Sequence, residues 1–281
     1  MQRNSNRDNQ YVFTIAQRNC ESRKHSTLGN HCKDETLWWR VEQMIKDEDW
    51  SPRQISGVLA KEGIHICAQT IYNHIHADTK GELAKHMPHE LRYRRKEKKQ
   101  NVTKATNIPN RTSIHDRPKE ANGKRFGDWE MDLIVDSQQH VILTLAERST
   151  NMLLMQRIPT GKKAEPIAKA VLKQLFSYRR TVKTITTDNG SEFAAHQLIT
   201  KGLYMKGKED IKVYFTDAYP SWQKGCIENT NKLIRKYISK GADFTQFSDT
   251  KIMNIQKKLN RRPREKLNFM TPKDCFFNYF S

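Results

Sequence analysis

At 281 residues the chain is long enough for one sizeable core and one or two small modules. Its 50 lysines and arginines against 31 aspartates and glutamates leave a formal charge of +19, a field that draws polyanions such as nucleic acid. No run approaches the roughly 18 apolar residues of a membrane span, the N-terminus lacks an apolar signal core, and five scattered cysteines without a C-x-x-C pair support neither a disulfide framework nor a zinc ribbon.

Residues 1–34 read as a basic N-terminal segment. Cys20, His25, His31 and Cys32 are ligand-capable, but the adjacent His31-Cys32 pair is awkward for closing a tetrahedral site, so no zinc is expected there. From Glu35, Leu37, Trp38, Val41, Met44 and Ile45 recur at helical spacing. Ser51-Pro-Arg-Gln54 then has the form of a capping box with proline at the first helical position, followed by Ile55, Val58 and Leu59 and a stop near Gly63. A third short helix over 68–77 turns Ile71 and Ile75 inward and Gln69, Thr70, Asn73 and His74 outward. Three such helices over 35–91 form either a helix-turn-helix DNA-binding domain, with Gln69, Thr70 and Asn73 at base edges, or a plain three-helix module with a solvated polar face.

Between Arg92 and Arg125, twelve basic residues face three acidic ones with almost no apolar periodicity, the mark of a basic linker over 92–125. The remainder, 126–281, changes character. Asp128–Val135 alternates strictly, placing Asp128, Glu130 and Asp132 on one face of a strand and Trp129, Met131, Leu133 and Val135 on the other. Strands at 140–146 and 152–158, a helix at 164–178, a strand at 182–187, a helix at 191–203, a strand at 211–216 and a helix at 225–239 follow. The fold class is α/β: a mixed five-stranded sheet with flanking helices, preceded by a small all-α domain.

Three carboxylates stand out by context: one on the first strand, Asp188 before an Asn-Gly turn, and Glu228 on a helix rich in cations. Phosphodiester cleavage needs charge neutralised at phosphorus and a nucleophile made from water or a 3′-hydroxyl, and two Mg²⁺ ions roughly 3.5–4 Å apart supply both. Taken singly each acid has an ordinary reading, since Asp-Asn-Gly is a common turn and Glu228 suits a salt bridge to Lys232. Asp128, Glu130 and Asp132 share one strand face, and spacing does not choose among them. Glu192 reads as a first-turn helix acid rather than a ligand. Glu228, Lys232 and Arg235 fall on one helix face, setting two cations beside such a site, and the bland reading is an exposed charged helix.

Several blocks, in order, resemble one family: Trp50-Ser-Pro-Arg-Gln-Ile-Ser56, Thr70-Ile-Tyr72, Gly127-Asp-Trp-Glu-Met-Asp132, Thr187-Asp-Asn-Gly-Ser-Glu-Phe193, Ala218-Tyr-Pro-Ser-Trp-Gln-Lys-Gly225 with Glu228-Asn-Thr-Asn231, and Leu259-Asn-Arg-Arg-Pro-Arg264 before Thr271-Pro272. The chain is similar to bacterial insertion-sequence transposases of family thirty (IS thirty), in the DDE transposase and retroviral-integrase superfamily. The resemblance implies a ribonuclease-H-like integrase catalytic core with a C-terminal helical extension, and it places the acidic metal triad on Asp132, Asp188 and Glu228. It implies Mg²⁺ or Mn²⁺ as cofactor. It implies double-stranded DNA as partner, both inverted-repeat ends and target, handled by a homodimer or larger synaptic assembly that cleaves the ends and transfers the 3′-hydroxyl strand. Lys224, Lys232 and Arg235 are expected to position DNA, in a bacterial, nucleoid-associated setting in the cytoplasm. A decayed transposase acting as a non-catalytic DNA-binding regulator is the alternative.

Three departures from the family pattern are visible. Met1-Gln-Arg-Asn-Ser reads as the last part of another helix-turn-helix, an expectation of a shortened chain in which 1–34 is its remnant. Some 39 residues lie between Asp188 and Glu228, with the surplus expected in Gly202–Asp210. Cys67 stands where a serine-like cap is expected before the third helix.

Overall fold

A computed structural model describes residues 11–28, 34–87, 108–217 and 221–280, which fall into two compact units, Met1–Asp49 and Trp50–Ser281. The first unit carries α1 (Phe13–Leu28) and α2 (Glu35–Lys46). Asp34 caps α2 by accepting from the Thr36 amide, and Val41 and Ile45 are its buried positions. Cys20 is exposed on α1, while His31 and Cys32 lie outside the described residues.

The second unit begins with α3 (Pro52–Lys61), α4 (Ala68–Ala77) and the single turn α5 (Glu82–Lys85). The Ser51–Gln54 capping box forms as its spacing dictates, and Ile55 and Leu59 are buried. Cys67 does act as the cap of α4, its sulfur accepting from the Thr70 amide at a long 3.4 Å. Ile71 and Ile75 point inward, and Gln69 and Asn73 are exposed and bonded to each other.

The sheet has six strands rather than five, in the order β1-β6-β5-β2-β3-β4. They are β1 (Thr112–Ser113), β2 (Asp128–Val135), β3 (Val141–Glu147), β4 (Leu153–Ile158), β5 (Thr184–Thr187) and β6 (Lys212–Phe215). Strands β2, β3 and β4 are an antiparallel meander, and β5 runs parallel to β2, β6 to β5 and β1 to β6. The added strand comes from residues expected as basic linker. In the described part of that stretch, 108–125, Ile108, Ile114 and Ala121 are buried, Arg117 donates to the Thr186 hydroxyl and Arg125 pairs with Asp128. Charge counting misread it because Arg117 and Arg125 are taken up by sheet residues, Thr186 and Asp128, instead of facing solvent. Residues 88–107 lie outside the described residues.

Helices cover both faces. On one, Trp129 and Met131 of β2, Leu143 and Leu145 of β3 and Ile185 of β5 pack with α6 (Ala164–Leu175) and α7 (His196–Leu203). Ile134, Ile142, Leu153 and Met155 face the other side, with α8 (Gly225–Ile234) and α9 (Asp249–Asn260). Period-two alternation thus sends the odd residues of β2 into the first core and its acids toward α8. α8 stops at Ile234 rather than continuing to 239, and the helix expected over 191–203 opens with a 3₁₀ turn at Ser191–Phe193. Within the stretch expected to hold the surplus, Lys208 is tied down by donating to the Arg179 and Val182 carbonyls.

Two sequence blocks have structural work away from the acids. Gly127 has φ +96°, and any Cβ there would collide with the Thr181 carbonyl, so β2 can enter the sheet only through glycine. Asn260 and Gln256 of α9 bond the backbone of the edge strand β4 at Leu153 and Met155, satisfying groups that an open edge would leave bare. The segment after α9 reaches α3: Arg262 donates to Gln54 Oε1, Gln54 Nε2 donates to the Pro263 carbonyl, and Arg53 pairs with Glu265. α10 (Pro272–Phe277) closes the fold by burying Phe276 among Phe126, Trp129 and Tyr178.

Candidate active site

The two aspartates meet because of strand register. β2 pairs with β5 at Asp128↔Thr184 and Glu130↔Thr186, and the same step continued by two residues sets Asp132 beside Asp188 at the exit of β5. Asp188 is held there by its turn, its own carboxylate accepting from the Gly190 amide at 3.1 Å. Asn189 is fixed by Arg111, which donates to its side-chain oxygen at 2.7 Å. A reciprocal pair of hydrogen bonds between Asp217 and Gln223 then returns the chain from β6 to the start of α8.

α8 supplies the remaining groups. Lys224, only 8% exposed, inserts its ammonium between the two aspartates, 3.4 Å from Asp132 Oδ1 and 3.1 Å from Asp188 Oδ2. One ammonium within bonding reach of both carboxylates places them in one pocket. A full two turns later, Asn231 donates to Asp132 Oδ2 at 2.8 Å. Positions 228 and 231 share a face of α8, so Glu228 lies on the face that Asn231 fixes against Asp132. Glu228 is half-buried and makes no ion pair among the described residues, and Lys232 reaches Asn229 instead, so the ordinary salt-bridge reading of Glu228 is not realised. Glu192 stands near Lys162, 3.8 Å away.

The three acids that share the β2 face are sorted by their partners. Asp128, fully buried, takes two bonds from Arg125 and one from the Thr184 hydroxyl. Glu130 accepts from Arg148 at 2.8 Å and from the Ile227 amide at 2.9 Å, so it pins the first turn of α8 onto the strand that carries Asp132. Asp132 has the lysine it shares with Asp188, the Asn231 side-chain amide and the Leu133 backbone N–H. Burial pushes its carboxyl above the usual range, with repulsion from Asp188 adding to it against the pull of Lys224. Burial also opposes the charge of Lys224, but the two carboxylates outweigh it and hold the ammonium above its ordinary value. Around this ammonium two carboxylates face one cation, so the pair of aspartates carries more negative charge than Lys224 neutralises.

The donor set suits a hard divalent cation. The oxygens of Asp132, Asp188 and Glu228 are of the type Mg²⁺ or Mn²⁺ takes, and the buried Oδ1 of Asn231 has no hydrogen-bond partner among the described residues. The triad oxygens do not close to 4.8 Å of one another, with Lys224 between the first two. Asp136, His140 and Asp243 do reach that distance, but Asp136 already accepts from the Gln138, His140 and Phe244 amides and anchors the β2–β3 turn.

Of the other expected site residues, Lys232 is exposed on α8 and Arg235 forms its C-terminal cap, reaching the Ser239 carbonyl. Gln69, Thr70 and Asn73 stand on α4, where Thr70 contacts Cys67. Asn231 and the anchoring part of Glu130 were missed in sequence, although the i+3 step from Glu228 was a signal for the first. Among the described residues no helix is long and apolar enough to cross a membrane.

No protein-family model matches the chain. Over 275 residues, 96% of this chain and 82% of the relative, it is 36% identical to the transposase for insertion sequence element IS4351 of Bacteroides fragilis. It is 32% identical over 249 residues to the transposase for insertion sequence element IS1086 of Cupriavidus metallidurans, covering 85% and 71% of the two chains. With transposase InsI for insertion sequence element IS30A of Escherichia coli it shares 32% identity over 238 residues, 80% of this chain and 60% of that one. The chain therefore belongs to the insertion-sequence transposases, in the family that includes those of the IS30 elements.

Proposed function

We propose that the chain cuts the phosphodiester at the terminal inverted repeats of a transposon and joins the freed 3′-hydroxyl to target DNA, using Asp132, Asp188 and Glu228 as a DDE triad on a ribonuclease-H-like core. The carrying observation is the shared pocket: Lys224 touches both aspartates while Asn231, on the face of Glu228, touches the first. A mixed sheet with an antiparallel meander followed by parallel strands, and helices on both faces, supports the fold reading.

Two divalent ions, Mg²⁺ or Mn²⁺, held by the three carboxylates would supply charge neutralisation at phosphorus and an activated nucleophile. The chain's own residues do the rest. Asp132 and Asp188 are presented by adjacent strands, Glu130 fixes the helix that presents Glu228, and Lys224, Lys232 and Arg235 hold backbone phosphate on the α8 side. α3 and α4 form the reading module, with Gln69, Thr70 and Asn73 toward base edges. Bringing two ends together calls for a dimer or larger synaptic assembly.

The test is Mn²⁺-dependent strand transfer on oligonucleotide duplexes carrying the ends of the element that encodes the chain. The wild type joins, and Glu228→Gln binds the same duplex while joining at least about 10³-fold more slowly. Equal inertness of both proteins, with DNA binding retained, would instead identify a non-catalytic DNA-binding regulator, and products that are hydrolysed but never joined would identify a nuclease.

A further inference from the structure

We propose that Lys224 and a divalent cation compete for Asp132 and Asp188, so that the lysine is a resident counterion which the incoming metal must displace. The inference rests on the triad reading above and adds to it a device that couples metal uptake to DNA.

The position of Lys224 is its first support. It is the residue at the N-cap of α8, and no side chain caps that end. The N-terminus of a helix carries positive partial charge, which repels an ammonium, so the local backbone gives no reason for a lysine to be buried there. The two carboxylates do: they are its ion-pair partners at 3.1 and 3.4 Å, and among the described residues no other cation pairs with either. Reversibility is the second support. Lysine is a compact charge on a flexible four-carbon stem, so the ammonium can leave by rotations of its own side chain while α8 stays clamped by Glu130 at the Ile227 amide. The third support is what remains behind: two adjacent carboxylates and the partnerless Oδ1 of Asn231, all oxygen acceptors.

The consequence is a linkage. A DNA phosphate offers the ammonium another anion, and whatever draws Lys224 toward phosphate frees the aspartates for metal. DNA and metal then favour each other's binding by the same factor. Metal uptake would be held back until a substrate backbone has arrived.

Mn²⁺ titration of the purified chain, followed by the electron paramagnetic resonance of the free ion, tests this directly. Without DNA, Lys224→Gln is expected to bind Mn²⁺ roughly tenfold more tightly than the wild type, because the competing charge is gone. Lys224→Met, which keeps the stem and loses only the charge, gives the same shift if the glutamine protein does not fold. Lys224→Arg stays near the wild type. Adding a DNA duplex tightens Mn²⁺ binding in the wild type, and the gain shrinks several-fold in the neutral variants. Neutral variants that bind Mn²⁺ no more tightly than the wild type, at a site that Asp132→Asn abolishes, overturn the competition and leave the triad intact. The triad reading itself fails on a different result: no Mn²⁺ binding in any of these proteins that Asp132→Asn removes.

Discussion

The two ends of the acidic face of β2 handle the same problem in opposite ways. At the lower end Asp128 and Glu130 are buried and fully matched, the first by Arg125 and Thr184, the second by Arg148 and the Ile227 amide. At the upper end, one repeat further, Asp132 shares a single ammonium with Asp188. Compensation declines along one strand face over four residues. The matched acids build the frame that holds α8 against the sheet, and the unmatched one keeps a demand for positive charge that the chain does not meet by itself. What sets Asp132 apart from the two matched acids is that its cation is shared with a second carboxylate, since all three stand at the same two-residue spacing and each has at least two partners.

The contrast breaks most visibly through stability. Glu130→Ala leaves Arg148 without its carboxylate and the first turn of α8 without its acceptor, and removing one partner of a buried pair costs about 3–5 kcal/mol. Asp132→Asn removes a charge from an acid-rich pocket and should leave the metal-free protein at least as stable as the wild type. Urea unfolding in EDTA compares the two. A Glu130→Ala protein with wild-type stability would mean that the Ile227 anchor does not hold α8.

Much of this was legible in the chain. Alternation in Asp128–Val135 gave the strand and its two faces, Ser51–Gln54 gave the start of α3, and the order of motif blocks gave the family. The choice among three acids was not legible from spacing, because it depends on Arg125, Arg148 and the start of α8 converging from up to about a hundred residues away. For the same reason 108–125 passed as linker. Two of its cations bond into the sheet, Arg117 at Thr186 and Arg125 at Asp128, which a count of charges does not show. Glu228, Lys232 and Arg235 seemed one functional face, yet the contacts to Asp132 come from 224 and 231, and Lys232 is turned to solvent. A helical wheel fixes which residues share a face but leaves the direction of that face to packing.

The same contrast is sharpened by pH. The Asp132 carboxyl is raised in the fold above its usual 3.8, chiefly by burial. As pH climbs through the range just above that value, the unfolded chain gives up this proton first and therefore binds fewer protons than the folded one, so stability falls with rising pH. The contribution is fully present below the unfolded value and is lost through the folded one. Burial raises Glu130 as well, so Asp132→Asn removes only the part of the slope that Asp132 supplies. In metal-free buffer the difference in urea midpoint between wild type and variant should accordingly shift in favour of the variant as pH rises from about 4, and added Mn²⁺ should reverse it by binding only the wild-type pocket. A difference independent of pH would show that the fold does not raise the Asp132 carboxyl.

The smallest effect concerns the solvent-facing side of α8. Lys232 is exposed and has a weak 3.4 Å contact to Asn229, so replacing it disturbs no buried partner. If it contacts one phosphate, Lys232→Ala lowers the slope of log affinity against log salt by about one and weakens all duplexes alike. Gln69→Ala on α4 should do the reverse, changing which end sequence is preferred with the salt slope unchanged. Binding isotherms for a cognate and a scrambled duplex at several salt concentrations separate the two. Lys232→Ala with an unaltered slope would confine phosphate contact to the buried end of the helix, where Lys224 sits between the aspartates.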